Sequence, residues 1–308
     1  MPAPLSPTER IRIACQGGVQ LGGHLWRSDA TPRGFVVINP ATGVLARYYH
    51  FYAGFLAGHG YDVLTYDYRG IGQSRPQRLR GCGYRWRDWG QLDFDAAIRF
   101  AAEKRRAGSL LVVGHSVGGF LPGLAEHGSL VDRMLTVGAQ YAYWPDYAPK
   151  QRLRLFLKWH LAMPILTALC GYFPGKRLGW LEDLPAGVAN EWSFKGRRTE
   201  ASYPAETRAD VVASFAAFRA PILAVAVTDD ELGTLPAIRR TLAYYSGAER
   251  QEVLLAPADL NVEAIGHFGL FHARFADSFW PATLSWLSEG INPWADPAGH
   301  QPAEPVGA

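Results

Sequence analysis

The chain has 308 residues, 48% of them hydrophobic and 19% charged, which makes it too long for a disulfide or zinc module and too apolar for a disordered chain. Thirty-one Lys and Arg against 28 Asp and Glu leave a net charge of +3, with no basic block of the density a nucleic-acid footprint needs, so no nucleic-acid partner is expected. Length alone allows two domains or one α/β domain with an insertion. Fifteen Phe, 14 Tyr and 10 Trp imply a large core and an apolar cavity. Cys15, Cys82 and Cys170 have no metal or disulfide spacing and read as buried thiols in a reducing compartment. The start, Met1-Pro2-Ala3-Pro4, lacks a basic and an apolar signal region, so a cytoplasmic protein is expected. The greasiest stretch, Leu161 to Cys170, contains Pro164 and is short of the ~20 residues of a spanning helix, so no transmembrane segment is expected.

After an unstructured start, Arg10–Cys15 and Val19–Trp26 flank Gly17-Gly18 and read as a hairpin. Phe35-Val36-Val37-Ile38 is a buried strand ending at Asn39-Pro40. Residues 47–59 carry Tyr48, Phe51 and Phe55 at helical spacing and stop at Gly58-His59-Gly60. Asp62–Tyr66 is the next strand, followed by a Gly-rich turn and a helix over 87–105. Leu110-Leu111-Val112-Val113 is a fully apolar strand, with a helix from just past Gly114 to about His127. Met134–Val137, Pro221–Val227 and Glu252–Leu255 complete the strands, and a helix from about His272 to Ser288 closes the fold. Short apolar strands alternating with helices predict a parallel sheet covered on both faces, with chemistry in the turns after the strands.

The alternation fails between residues 141 and 215, which hold Trp144, Trp159, Trp180 and Trp192 and six prolines. This reads as a helical cap inserted between core segments 1–140 and 216–290, roofing the end of the sheet where ligands bind. The tail, 291–308, reads as disordered.

Gly114-His115-Ser116-Val117-Gly118 is G-x-S-x-G in the context the motif requires, directly after an aliphatic strand and opening a helix. Gly114 and Gly118 lack the Cβ atoms that so tight a turn would crowd. Ser116 is therefore the candidate nucleophile, and the Val117 N–H a candidate oxyanion donor. His115, just before the apex, points away from the site and reads as a packed or hydrogen-bonded residue. In Tyr66-Asp67-Tyr68-Arg69-Gly70-Ile71-Gly72 the third glycine of a dinucleotide fingerprint is missing, and no metal-ligand set appears, so neither cofactor nor metal is expected.

On these residues the chain resembles the α/β-hydrolase superfamily, over about Arg10 to Ser288, in its esterase, lysophospholipase and serine-aminopeptidase-like group. The resemblance implies an acid after a later strand and a His in a late loop. Val227-Thr228-Asp229-Asp230-Glu231 supplies the acid, Asp230 by motif position with Asp229 the alternative, against the competing reading of a turn that caps a helix. Ile265-Gly266-His267-Phe268-Gly269 supplies the His; His272 competes but is expected on the final helix. The second oxyanion donor falls on Ala41 by position, with Thr42 the alternative, because Asn39-Pro40-Ala41-Thr42-Gly43 departs from the His-Gly found in many relatives. Asp67 and Arg69 are expected to tie loops together. The basic clusters Arg197-Arg198 and Gln151–Lys158 are expected to be solvated faces of the cap.

The implied reaction is hydrolysis of a carboxylic ester or thioester with an apolar acyl or aryl group, through a Ser-His-Asp triad and an acyl-enzyme. Few charges are expected in the pocket. Acyl transfer by the same triad and non-catalytic binding of a small ligand are the alternatives. The partner is a small acyl substrate, and a homo-oligomer is left open.

Overall fold

Gly17 and Gly18, at φ 76° and 72°, turn the chain between β1 (Glu9–Cys15) and β2 (Val19–Trp26) in a register that pairs Cys15 with Val19. The structure is a computed structural model and describes residues 6–295; the expected unstructured start and the tail beyond 295 lie largely outside it. Six more strands follow: β3 (Gly34–Asn39), β4 (Tyr61–Tyr66), β5 (Ser109–His115), β6 (Arg133–Val137), β7 (Ile222–Val227) and β8 (Arg250–Leu255). They form one sheet in the order β1-β2-β4-β3-β5-β6-β7-β8, in which β2 is antiparallel to β1 and β4 and every other pair is parallel.

β3 and β5 lie at the centre, and their aliphatic runs are buried on both faces because helices cover both. Strand alternation splits the core into two layers: Phe35, Val37, Leu110 and Val112 face one, while Val36, Ile38, Leu111 and Val113 face the other. α1 (His50–Gly58) and α8 (Phe279–Glu289) border the second layer, where Tyr52 donates to or accepts from Thr283 at 2.8 Å. α2 spans 86–104, with a π-helical stretch at Trp89–Phe94.

Two expected helices are shorter in the structure. After Ser116 the α-helix α3 covers only Val117–Phe120 and gives way to a 3₁₀ turn at Leu121–Leu124. Pro122, which lacks an N–H, sits at the start of that turn. The closing helix begins at Phe279, and residues 269–275 form two 3₁₀ turns. His272 is therefore not helical: its Nδ1 accepts from the Arg274 N–H as a turn cap.

The insertion between β6 and β7 is mainly helical. Its longest element is α4 (Arg152–Cys170), followed by a two-residue strand pair (Tyr172–Phe173 with Leu184–Pro185) and α5 (Ala186–Ser193). The sequence suggested that Pro164 interrupts this stretch, but the helix runs through it. A π-helical stretch at Leu157–Ala162 precedes the proline and absorbs its missing hydrogen bond. At 19 residues, α4 is the single helix among the described residues that is long and apolar enough to cross a membrane. The last helix before β7, α6 (Arg208–Ala217), packs Phe215 at a tilt against Phe120 and edge-on against Tyr245, and so joins the sheet layer. α7 (Leu235–Tyr244), between β7 and β8, is capped by Thr234, whose hydroxyl accepts from the Ala237 N–H at 3.4 Å.

The three cysteines are free, and they are partly rather than fully buried. Cys15 Sγ donates toward Leu92 O (3.2 Å) and accepts from Arg69 Nη2 (3.0 Å); burial and the neighbouring Asp93 push the thiol up to about 11, so it stays protonated.

Candidate active site

β5 ends at His115 and the chain turns at once into α3, which leaves Ser116 at φ 55°, ψ −124°. A non-glycine residue holds such a conformation only where its surroundings fix it. Here the Ser116 N–H donates to Val137 O (2.9 Å) and the Ser116 carbonyl accepts from Gly119 N–H (3.0 Å). A Cβ on Gly114 would stand 2.5 Å from Gly118 O, and one on Gly118 would stand 2.3 Å from Asn39 O, so both glycines are obligatory. Asn39 fastens the turn from the β3 side: its Nδ2 donates to Gly118 O (3.1 Å) and its Oδ1 accepts from Tyr66 Oη (2.8 Å).

His267 and Asp230 meet across two loops, with His267 Nδ1–H donating to Asp230 Oδ2 at 2.7 Å. Asp230 is 3% exposed. Its other oxygen accepts from the Leu232 N–H (2.8 Å) and Gly233 N–H (2.7 Å). Burial alone would raise the Asp230 carboxyl, but His267 and these two amides bring it below its ordinary range. Asp229 does something else. It is exposed, and it accepts from the Ile265 N–H (2.7 Å) and the Gly266 N–H (3.1 Å), which ties down the loop that carries His267.

Ser116 and His267 line one cavity of about 480 Å³, within the range of small-molecule sites. Its roof is aromatic: Trp159 stacks on Trp192 (centroids 4.7 Å) and meets Trp180 edge-on (5.6 Å), and all three line the cavity. Trp144, by contrast, is 36% exposed and packs on Phe156 away from the cavity. Charges reach the cavity more than the composition suggested, since Arg47, Arg154, Lys158, Glu182 and Glu231 also line it. Arg154 pairs with Glu231, and Lys158 Nζ lies over Trp159 and Trp180 at 4.4 and 4.5 Å. The run Gln151–Lys158 is thus only in part a solvated face, for Leu155 is buried; Arg197 and Arg198 are exposed as expected.

At the second oxyanion position the two candidates differ in their surroundings. The Ala41 N–H is already engaged, donating to Tyr49 Oη at 2.9 Å. The Thr42 N–H has no acceptor among the described residues, and Thr42 lines the cavity while its hydroxyl accepts from Trp86 Nε1 (3.1 Å). The Val117 N–H stands in the first turn of α3, where an amide has no intrahelical acceptor.

Tyr49 also explains His115. His115 Nε2–H donates to the His267 carbonyl (2.8 Å), so Nδ1 is the acceptor and Tyr49 Oη–H donates to it at 2.7 Å. Burial, with His267 nearby, lowers His115 to about 3 and keeps it neutral. A buried chain therefore runs from the Ala41 amide through Tyr49 and His115 to the backbone of His267. Tyr49 was not singled out from the sequence, although it lies within the aromatic-spaced segment 47–59. Gln140 was also missed: its Nε2 reaches Ser116 Oγ at 3.4 Å, and its Oε1 accepts from the N–H of Ala142, itself at φ 64°. No motif marks it. Asp67 and Arg69 tie loops as expected: Asp67 accepts from the Ala46 and Gln73 N–H groups, and Arg69 Nε donates to Asp93 at 2.6 Å.

A mostly parallel sheet, a strained strand-to-helix Ser turn and a His–carboxylate pair under a helical cap define an α/β-hydrolase. Residues 30–251 match the family described as "Serine aminopeptidase, S33", and the chain belongs to it. It is thereby an α/β-hydrolase-fold serine hydrolase. Part of the chain is 32% identical to a monoacylglycerol lipase of Mycolicibacterium smegmatis over 105 residues, which spans 33% of this chain and 36% of that one, so the match covers about a third of the relative. Among solved structures, a soluble variant of the Saccharomyces cerevisiae monoglyceride lipase superposes with a TM-score of 0.63 at 15% identity, covering 94% of this chain and 98% of that one. An esterase of Pyrococcus furiosus gives 0.58 at 14% identity over 91% and 89%. These two likenesses show the fold.

Proposed function

We propose that the chain hydrolyses carboxylic esters of apolar acyl or aryl groups through Ser116, His267 and Asp230. The observation that carries this reading is the buried 2.7 Å His267–Asp230 pair on the cavity into which the strained Ser116 turn opens. With Nδ1–H held by Asp230, Nε2 of His267 is free to take the Ser116 proton as Oγ attacks the ester carbonyl. The N–H groups of Val117 and Thr42 then stabilise the oxyanion. His267 returns the proton to the leaving alcohol, and water, activated by the same imidazole, releases the acid from the acyl-enzyme.

The three tryptophans favour an apolar acyl chain, and the charged groups at the mouth favour a polar leaving group such as a polyol. Monoacylglycerol, the substrate in the name of the Mycolicibacterium smegmatis relative, is the first to test. We assign residues 141–215 as the cap, with α6 at its end serving the core, and place the protein in the cytosol on its three unpaired cysteines.

A panel of monoacylglycerols and simple acyl esters graded by chain length, with Ser116→Ala as blank, tests the reading. Turnover is expected with wild type and not with the blank, and a fluorophosphonate should label wild type only. A folded wild-type protein that takes up no fluorophosphonate would overturn it in favour of ligand binding. Offering alcohols to the acylated enzyme and measuring how product partitions separates hydrolysis from acyl transfer.

A further inference from the structure

α4 carries two apolar stripes, and only one is packed. Leu155, Trp159, Met163 and Thr167 are buried, and Trp159 stacks on Trp192 of α5. On the opposite side Leu153, Leu157, Leu161, Ile165 and Leu169 recur every fourth residue and are 71%, 46%, 48%, 51% and 76% exposed. At 1.5 Å per residue this outer stripe is about 24 Å long. The outer face of a helix in a water-soluble domain is ordinarily polar, so a continuous aliphatic ridge there needs a partner.

The charge around the ridge indicates which partner. Residues 147–181 contain six Lys or Arg and no Asp or Glu. Lys150, Lys176 and Arg177 of this segment are exposed, with Lys176 Nζ paired to Glu182 at 2.9 Å. We propose that the outer face of α4 docks the protein onto an anionic lipid bilayer, with the leucine ridge in the acyl boundary and the lysines and arginines at the head groups. An aliphatic stripe with basic flanks is the composition of a helix lying in the interface plane. α4 docks without spanning, because its inner stripe is committed to the protein core. Pairing with a second copy is disfavoured, since a two-fold interface would set Lys150 and Arg177 of one copy, neither of them ion-paired among the described residues, against those of the other. Arg154, Leu155, Lys158 and Trp159 line the catalytic cavity from this same helix, so docking brings the cavity mouth to the lipid surface.

Flotation with vesicles of phosphatidylcholine, with and without phosphatidylglycerol, tests this without reference to catalysis. Wild type should float with the anionic vesicles about tenfold more than with phosphatidylcholine alone, and high salt should reduce the difference. The triple variant L153Q/L161Q/L169Q touches no cavity residue and uses a good helix former. It should lose at least about tenfold in flotation while keeping its circular dichroism. Should it fail to fold, the variant K150E/K176E/R177E reads the same surface and should abolish the preference for anionic lipid. Wild type that does not float with either vesicle, or floats equally with both, overturns the proposal. So does a triple variant that folds and floats like wild type, or a wild-type dimer that the leucine changes dissociate in solution.

Discussion

Replacing Asp229 and Asp230 singly by Asn separates two adjacent carboxylates that the structure gives different work. In Asp230→Asn the side-chain oxygen is held by the Leu232 and Gly233 amides, which accept no other role for that position because both donate. The new NH₂ must then face His267 Nδ1, which can satisfy it only by giving up its proton. The imidazole is forced into the tautomer with Nε2 protonated, and a protonated Nε2 cannot accept from Ser116. A tautomer error of this kind costs ~10⁴ in kcat, or about 5.4 kcal/mol of transition-state stabilisation. Asp229→Asn leaves one oxygen for either Ile265 or Gly266 and releases the other amide to water, since Asp229 is exposed. The net loss of one exposed hydrogen bond is about 1 kcal/mol of stability, and activity should stay within roughly tenfold of wild type. Initial rates on a soluble short-chain ester, with urea midpoints for both variants, read the two effects. An Asp230→Asn protein that keeps more than about a tenth of wild-type kcat, or one no worse than Asp229→Asn, would refute the reasoning.

Tyr49→Phe leaves two buried groups, the Ala41 N–H and His115 Nδ1, without partners, at about 1–3 kcal/mol each. The urea midpoint should fall sharply while kcat changes less than about tenfold, because the reacting atoms are untouched; an unchanged urea midpoint would refute the buried chain through Tyr49. His115 is lowered to about 3 in the folded protein against 6.5 in the unfolded chain. As pH falls from 6.5 towards 3, the unfolded state takes up a proton that the native state refuses. Stability therefore drops by about 1.4 kcal/mol per pH unit on account of this group. Urea titrations of wild type and His115→Asn across that window should differ in slope by this amount, and parallel curves would count against it. Gln140→Leu removes the acceptor of the Ala142 N–H in a turn already at φ 64°, so it should cost about 1–3 kcal/mol in denaturant unfolding.

The parts of the site that could be read from the sequence are those whose chemistry is local. Ser116 was legible because two glycines and an aliphatic strand bracket it within ten residues, although the contacts that hold it at φ 55° come from Val137 and Asn39 as well. His267 and Asp230 were legible as loop residues after strands, but the choice between Asp229 and Asp230 rests on which way a turn presents each carboxylate, a matter of two peptide orientations that composition does not encode. The longer helices went wrong at their ends for the same kind of reason. α3 ends at Phe120 ahead of Pro122, and residues 269–275 prefer tight turns, both short-range backbone effects competing with a periodic apolar pattern. α4 erred the other way: a proline that breaks most helices is accommodated here by a π-helical stretch in the preceding turn.

What the sequence could not supply is the long-range polar chain, and that chain is the ground on which Thr42 is proposed over Ala41. The separations 41–49, 49–115 and 115–267 join three different loops and elements through two side chains, and no spacing rule connects them. Once Tyr49 occupies the Ala41 amide, the next amide along the turn, that of Thr42 on the cavity wall, is the nearest one without an acceptor among the described residues. His115, a residue that merely precedes the nucleophile in the motif, becomes the joint between the oxyanion turn and the His267 loop. A single neutral imidazole can do this because burial removes its charge: a protonated His115 would have no acceptor left to offer Tyr49, and the chain would break at its centre. The geometry of the site and the acid limit of the fold therefore depend on the same proton.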